Sequence, residues 1–283
     1  DPLGPVLAIM PWNFPFWQVF RFAAPHLMAG NVGLLKHAEN TFGCARALDE
    51  LFEAAGFPEG VFQALHIDKT RVEPVIADDR VRAVTLTGSV GAGREVAAEA
   101  GANIKKTVLE LGGSDPFIVF ADCDLEETVE RAVYARTQNN GQSCIAGKRF
   151  LVEDRIHGAF VERFQQKLEA LVVGDPADES TELGPLARAD LRDTLHDQVQ
   201  RTIQAGAECI IGGEVPEGDG FFYPATLLTG VEPGMAAFDE ETFGPVAAVT
   251  EFGSDEQAVE LANDSNYGLG ASIWTDDPKR GER

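Results

Sequence analysis

Residues 138–149 read Gln-Asn-Asn-Gly-Gln-Ser-Cys-Ile-Ala-Gly-Lys-Arg, and what flanks them decides the fold. Upstream, Asp124 stands three residues before Glu127, the spacing of a capping box. Leu125, Val129, Ala132 and Val133 then give the following helix one apolar face. Downstream, residues 149–153 read as a strand with Phe150 and Val152 on one side. The stretch is thus a polar, glycine-bearing loop from helix to strand, and it presents Cys144. A lone cysteine is more often a small buried hydrophobe. Cys144 therefore counts as a nucleophile only if the rest of the chain supplies the groups such chemistry needs.

The same alternation runs outward in both directions. Strands are predicted at residues 3–10, 32–36, 61–65, 81–86, 107–111 and 116–120, then at 209–211, 225–228, 246–252 and 271–274. Between them lie helical patterns at 16–29, from Asn40 or Thr41 to Ala55, at 94–100, at 156–171, and through Leu191, Leu195, Val199 and Ile203. Strands alternating with helices throughout predict an α/β protein. The 283-residue length suggests two domains. No internal repeat and no low-complexity tract is present.

Four stretches could carry chemistry beside Cys144. Pro11-Trp-Asn-Phe-Pro15 is a turn stiffened by two prolines, and Asn13 at its centre offers either an amide donor or a bond to its own backbone. Residues 87–93, Thr-Gly-Ser-Val-Gly-Ala-Gly, form a glycine-rich turn opening a helix, where free N–H groups can hold a phosphate. The spacing of Gly88, Gly91 and Gly93 is not GxGxxG, so this signal is weak alone. Glu110 ends a strand beside Gly112 and Gly113, where open α/β sheets place their sites, although a solvated strand-end glutamate is commoner. Residues 239–245, Asp-Glu-Glu-Thr-Phe-Gly-Pro, make an acidic turn holding one exposed-looking aromatic, Phe243.

Composition narrows the partners. The net charge of −23 arises from 46 acidic and 23 basic residues, spread along the chain without an acidic tail. Nucleic acid is disfavoured because its phosphates would be repelled. Such a charge suits either an ordinary acidic enzyme or a protein adapted to high salt, where repulsion is screened. No apolar run reaches the length of a membrane span, and residues 1–4, Asp-Pro-Leu-Gly, do not read as the start of a signal peptide. Cys44, Cys123, Cys144 and Cys209 show neither disulfide nor zinc spacing, which predicts a reducing, cytoplasmic setting and no metal.

Taken together, PWNFP at 11–15, Lys36-His-Ala-Glu39, TGS at 87–89, ELGG at 110–113, GQSC at 141–144 and ETFGP at 241–245 resemble the NAD(P)-dependent aldehyde dehydrogenase superfamily in order and approximate spacing. QNNGQSCIAGKRF and LKHAEN look most like its succinate-semialdehyde dehydrogenase branch. The resemblance covers the whole chain. It implies a Rossmann-like cofactor domain over residues 1–112, incomplete at its N-terminus, and an α/β catalytic domain over 113–283, incomplete at its C-terminus. It also implies a homo-oligomer at full length.

The resemblance further implies roles. Cys144 would attack the aldehyde as a thiolate, with the Asn13 amide and the Cys144 N–H holding the oxyanion. Glu110 would activate water to release the acid; CoA-acylating relatives lack a glutamate there. Trp12 and Lys36 would line the adenosine ribose and Glu39 would bind its hydroxyls, favouring NAD while leaving NADP possible. Gly88, Ser89, Gly93 and Leu111 would lie along the cofactor, Glu241 would hold the nicotinamide ribose and Phe243 would pack near its ring. Arg21 would anchor the substrate's distal carboxylate, among Phe16, Trp17, Phe20 and Phe22. Some succinate-semialdehyde enzymes carry an arginine six residues before the nucleophile and a cysteine two after it. Here Gln138 and Ala146 stand at those positions, so Gln138 would meet the substrate without a charge. A dehydrogenase for another aldehyde and a non-catalytic fragment are the remaining readings.

Overall fold

The computed structural model describes residues 1–283, which divide into two compact units, Asp1–Gly112 and Gly113–Arg283. In the first unit the elements run β1 (Pro5–Met10), α1 (Trp17–Met28), β2 (Val32–His37), α2 (Phe42–Ala54), β3 (Phe62–Ala64), α3 (Val72–Ala77), β4 (Ala83–Thr87), α4 (Val90–Ala102) and β5 (Lys106–Glu110). The five strands form one parallel sheet in the order β3-β2-β1-β4-β5. Side chains alternate across it as a strand requires. Val6, Ala8 and Met10 pack with Phe22, Leu48 and Phe52 on one face, and Leu7 packs with Ile76, Val96 and Ala100 on the other. Parallel sheets need this double cover, which explains why β1 reads as an unbroken apolar run.

The second unit runs β6 (Asp115–Val119), α5 (Leu125–Thr137), β7 (Gly147–Glu153), α6 (Asp154–Glu169), α7 (Ala189–Gln204), β8 (Glu208–Ile211), β9 (Thr226–Thr229), α8 (Ala236–Asp239), β10 (Val246–Phe252), α9 (Asp255–Asn263), β11 (Ser272–Trp274) and α10 (Pro278–Gly281). Its sheet has the order β11-β6-β7-β10-β9-β8, parallel except for the antiparallel β8–β9 pair at the edge. Phe150 and Val152 of β7 join Phe160, Phe164 and Leu168 of α6 on one face. Leu151, pointing the other way, joins Leu195 and Val199 of α7.

Three local expectations need correcting. The helix after the glycine-rich turn starts at Val90 and not at 94, because Ser89 caps it by accepting the Ala92 N–H at 3.3 Å. Gly91 and Gly93 therefore lie inside its first turn. Thr41 holds the N-cap position of α2 without capping it, since its hydroxyl contacts His37 Nδ1 at 2.9 Å and the Ala38 carbonyl at 3.0 Å. Helices α3 and α9 were not predicted. α3 is six residues long with Pro74 inside it, and α9 buries only Ala258, so neither shows a long apolar stripe. Asp124 does cap α5, accepting from Glu127 N at 3.1 Å.

Candidate active site

In the first unit, the strand order turns back between β1 and β4. In open α/β sheets the crevice outside the carboxyl ends at such a switch point is where ligands bind. The in-register parallel pairing brings the ends of neighbouring strands to one edge, with Met10 beside His37 and Thr87 beside Glu110. That edge carries the 11–15 turn with Trp12 and Asn13, the end of β2 with Lys36, then Glu39, Gly88, Ser89 and Glu110. Trp12 and Asn13 are half-buried, Glu39 and Ser89 exposed. Lys36 is buried, and its ammonium has neither hydrogen bond nor ion pair, an arrangement that suits a polar ligand. Leu111 packs over α4, and a Cβ on Gly93 would stand 2.5 Å from Leu111 Cδ2, so Gly93 permits that approach.

Arg21 and Glu110 meet: Nη2 of Arg21 lies 3.0 Å from Oε1 of Glu110, both side chains partly exposed at 48% and 37%. The expected aromatic enclosure of Arg21 does not form within this unit. Phe22 belongs to the core, Phe20 packs against Phe52 with ring centroids 5.8 Å apart, and Phe16 and Trp17 are exposed. Phe16 and Phe20, five and one positions from Arg21, face away from it; Trp17, four positions away, shares its side of the helix but stays exposed, and Phe22 alone borders the same small cavity as Arg21 and Glu110.

In the second unit the candidate residues precede three adjacent parallel strands: Gly113 before β6, Cys144 before β7, and Glu241 and Phe243 before β10. The Cys144 loop begins with Gln138–Gly141, in which Asn139 and Asn140 are left-handed at φ 53° and 56°. Asn140 fixes the turn, accepting from Gly184 N at 2.9 Å and donating to the Pro185 carbonyl at 3.1 Å. Gln142, buried, accepts from Ala187 N at 2.9 Å. Gly113 lets the backbone approach closely, since a Cβ there would lie 2.6 Å from the Cys144 carbonyl oxygen. Cys144 itself is half-buried beside an exposed Ile145. Gln138 is exposed at the end of α5 and donates to Tyr134 Oη at 2.9 Å. Phe243 is half-buried.

Beneath this loop lie buried cations that the sequence reading missed. Arg136 donates to the carbonyls of Gly141 at 2.7 Å, Gly147 at 3.2 Å and Thr242 at 3.4 Å, tying the Cys144 loop to the 239–245 turn. Lys148 donates to the carbonyls of Ser143 and Cys144, each at 2.9 Å. Arg149 holds the carbonyls of Ser114 at 2.9 Å, Leu261 at 2.7 Å and Ala262 at 3.0 Å. Glu241 accepts from Gly113 N at 3.1 Å and lies 3.7 Å from Lys148 Nζ. Burial pushes the Glu241 carboxyl up, and Lys148 partly offsets it. Burial and then Arg136 pull the Lys148 ammonium down to about 8, against Glu241, Asp115 and Cys144. Burial raises the Cys144 thiol, Lys148 lowers it and Glu241 raises it again. A signal existed for Arg136: it falls four residues after Ala132, on the apolar face of α5, where a surface cation does not belong.

His37 was missed as well. Its Nδ1 accepts from Ala38 N at 2.9 Å, which leaves Nε2 protonated to donate to the Pro15 carbonyl at 2.9 Å. Burial pushes its pKa down and keeps the ring neutral. It thereby ties the turn bearing Asn13 to the end of β2.

A doubly wound parallel unit with polar groups at its switch point, followed by an α/β unit presenting one cysteine above buried cations, defines a two-unit α/β protein of the kind that binds ligands at strand ends. The chain belongs to the aldehyde dehydrogenase family, whose model matches residues 1–283. It is 55% identical, over 98% of its length, to the succinate semialdehyde dehydrogenase [NAD(P)+] Sad of Escherichia coli K12, covering 60% of that protein. It is 54% identical over its whole length to a probable succinate-semialdehyde dehydrogenase [NADP(+)] of Synechocystis, covering 62% of it. Among solved structures, the succinic semialdehyde dehydrogenase of Streptococcus pyogenes in complex with NADP+ superposes with a TM-score of 0.97 at 39% identity, over 100% of this chain and 62% of that one. The chain thus spans about 60% of the length of the curated relatives it matches. No helix is long and apolar enough to cross a membrane, and all four cysteines are free thiols.

Proposed function

We propose that the protein oxidises an aldehyde, succinate semialdehyde, to its carboxylic acid with NAD, and with NADP as a possible alternative. The observation that carries this reading is Cys144, half-buried on a loop whose backbone is tied by Arg136, Lys148 and Gly113. The Cys144 thiolate adds to the carbonyl carbon, and the carbonyl electron pair moves onto oxygen. The Asn13 amide and the Cys144 N–H donate to that oxyanion. Bound NAD(P)+ supplies the acceptor for the hydride that leaves the carbon as the oxyanion collapses to a thioester. Glu110 then takes a proton from water, the water oxygen attacks the thioester, and Cys144 departs as thiolate.

The ammonium of Lys36, unpaired at the end of a largely buried side chain, and the first-turn N–H groups of α4 behind Ser89 fit a dinucleotide's ribose and phosphates. Trp12, Glu39, Gly88, Gly93 and Leu111 complete the adenosine side, with Glu39 disfavouring a 2′-phosphate; Glu241 and Phe243 take the nicotinamide side. Units Asp1–Gly112 and Gly113–Arg283 are accordingly read as the cofactor-binding and catalytic domains. A homo-oligomer in a reducing, cytoplasmic setting completes the reading. The second reading is a dehydrogenase for an uncharged aldehyde, favoured by Gln138, which is neutral and bonded to Tyr134.

Two variants test the assignment. Cys144→Ala should abolish NADH formation. Glu110→Gln should keep a first-turnover burst of NADH and lose steady turnover, because acylation precedes its role. Normal turnover by the Glu110 variant would remove it from the mechanism.

A further inference from the structure

Lys148 is fully buried, and its one carboxylate neighbour, Glu241, stands at ion-pair distance, 3.7 Å. Its ammonium is spent on two backbone carbonyls, those of Ser143 and Cys144, 2.9 Å away each. Taking a full charge out of water costs several kcal/mol, and a neutral donor would satisfy carbonyls at lower cost. The charge therefore calls for an explanation beyond loop geometry. Four groups act electrostatically on this ammonium: Arg136 from the end of α5, Glu241 from the turn before β10, Asp115 from the start of β6, and Cys144 itself. Asp115 is engaged elsewhere, accepting from Gly270 N at 3.0 Å, and Glu241 is shared with Gly113 N. Arg136 adds a second buried cation five residues before Gly141, whose carbonyl it holds.

We propose that Lys148 is a positioning residue for the nucleophile: its buried charge, fixed under the loop by the Ser143 and Cys144 carbonyls, stabilises the Cys144 thiolate, and Glu241 sets how much of that charge the thiolate feels. The inference rests on reading Cys144 as the nucleophile, but it concerns the thiol in the resting protein. Because the lysine bonds to the carbonyl of the very residue it activates, loop register and thiolate stabilisation come from one side chain. The sign of each partner follows. The ammonium lowers the free energy of a nearby anion, so removing it disfavours the thiolate. The Glu241 carboxylate repels that anion and also offsets the ammonium, so removing its charge favours the thiolate.

The test is the pH dependence of Cys144 alkylation by iodoacetamide, resolved by peptide mass spectrometry in the full-length protein without substrate or cofactor. Cys44, Cys123 and Cys209 serve as internal controls. Lys148→Met should slow Cys144 alkylation about tenfold at pH 7, where the ammonium is charged, and the deficit should shrink above pH 8 as the parent's lysine loses its proton, while the other cysteines are unchanged. Lys148→Arg, which keeps the charge, should stay near the parent midpoint. Glu241→Gln should move the midpoint down. Alkylation of Lys148→Met equal to the parent's at pH 7, or slowed evenly at every pH, would reduce Lys148 to a structural tie and overturn the proposal. Should Lys148→Met not fold, Lys148→Gln, neutral but still a donor to the two carbonyls, decides in its place: alkylation equal to the parent's at pH 7, or slowed evenly at every pH, overturns it. None of these readings needs turnover, so failure of the dehydrogenase assignment, seen in Cys144→Ala, remains distinguishable.

Discussion

At Arg21 the structure adds a competitor to the expected ligand. Its guanidinium is already within 3.0 Å of Glu110, and both side chains are partly exposed. Such a pair contributes only about 0–1 kcal/mol, so a substrate carboxylate can take the arginine at little cost. The exchange would also release Glu110 for its proposed work on water. If Arg21 anchors the substrate, Arg21→Ala should lower kcat/KM for succinate semialdehyde by about 2–3 kcal/mol, roughly 30- to 150-fold. Butanal, which has no distal charge, should lose little. The ratio of the two specificity constants before and after mutation is the measurement, and an equal drop for both would leave Arg21 only as support for Glu110. The pairing itself was not legible in the sequence, because residues 21 and 110 are related only through the sheet. Lys148 and Arg136 were hidden differently. Arg136 sits in a segment read correctly as helix and Lys148 in one read as loop that in fact opens β7, but in both cases burial of a cation runs against every average preference. Only the position of Arg136 on the apolar face of α5 betrayed it.

Elements were legible wherever an apolar period lasted. The helices around Phe160 and Leu195 and the strands β1, β7 and β10 follow directly from spacing. The short α3 and the sparsely buried α9 left no such record, and α4 began earlier than its glycines suggested. Two glycines show how differently such residues constrain an element. At Gly141 φ is +72°, and an added Cβ would meet the Gly244 carbonyl and, at 2.7 Å, Nη2 of Arg136. A left-handed conformation costs an L-residue about 1–2 kcal/mol before any clash. Gly141→Ala should therefore destabilise the protein by about 2–4 kcal/mol, read as a lower urea midpoint at unchanged slope. Gly93 has ordinary helical geometry, and its only close neighbour is the Leu111 side chain, whose end can turn aside. Gly93→Ala should lose about 1 kcal/mol or less, with the added methyl's better helix propensity offsetting part of the crowding. Equal losses at the two sites would mean that backbone strain does not set the loop's conformation.

For the whole molecule the dominant physical fact is charge. Against 23 basic side chains stand 46 acidic ones, and most of the latter have no ion-pair partner. Where pairs exist they are mostly exposed, as between Lys167 and Glu126 at 2.7 Å or Arg201 and Glu240 at 2.7 Å. Salt acts on both terms in opposite directions. It weakens each exposed pair, worth about 0–1 kcal/mol apiece, and it relieves repulsion among the excess carboxylates. The Debye length falls from about 10 Å at 0.1 M to about 3 Å at 1 M, so repulsion between carboxylates spread over the surface is screened more completely than attraction across a contact. With 23 negative charges in excess, the repulsive sum should win. Relief worth about 2 kcal/mol would raise the melting temperature by roughly 3–4 °C between 0.1 and 2 M KCl for a chain of this size. KCl is the suitable salt because sulfate would also strengthen apolar burial and confuse the cause. A melting temperature flat or falling across that range would show that the acidic surface is well tolerated without salt, leaving the charge as a matter of solubility alone.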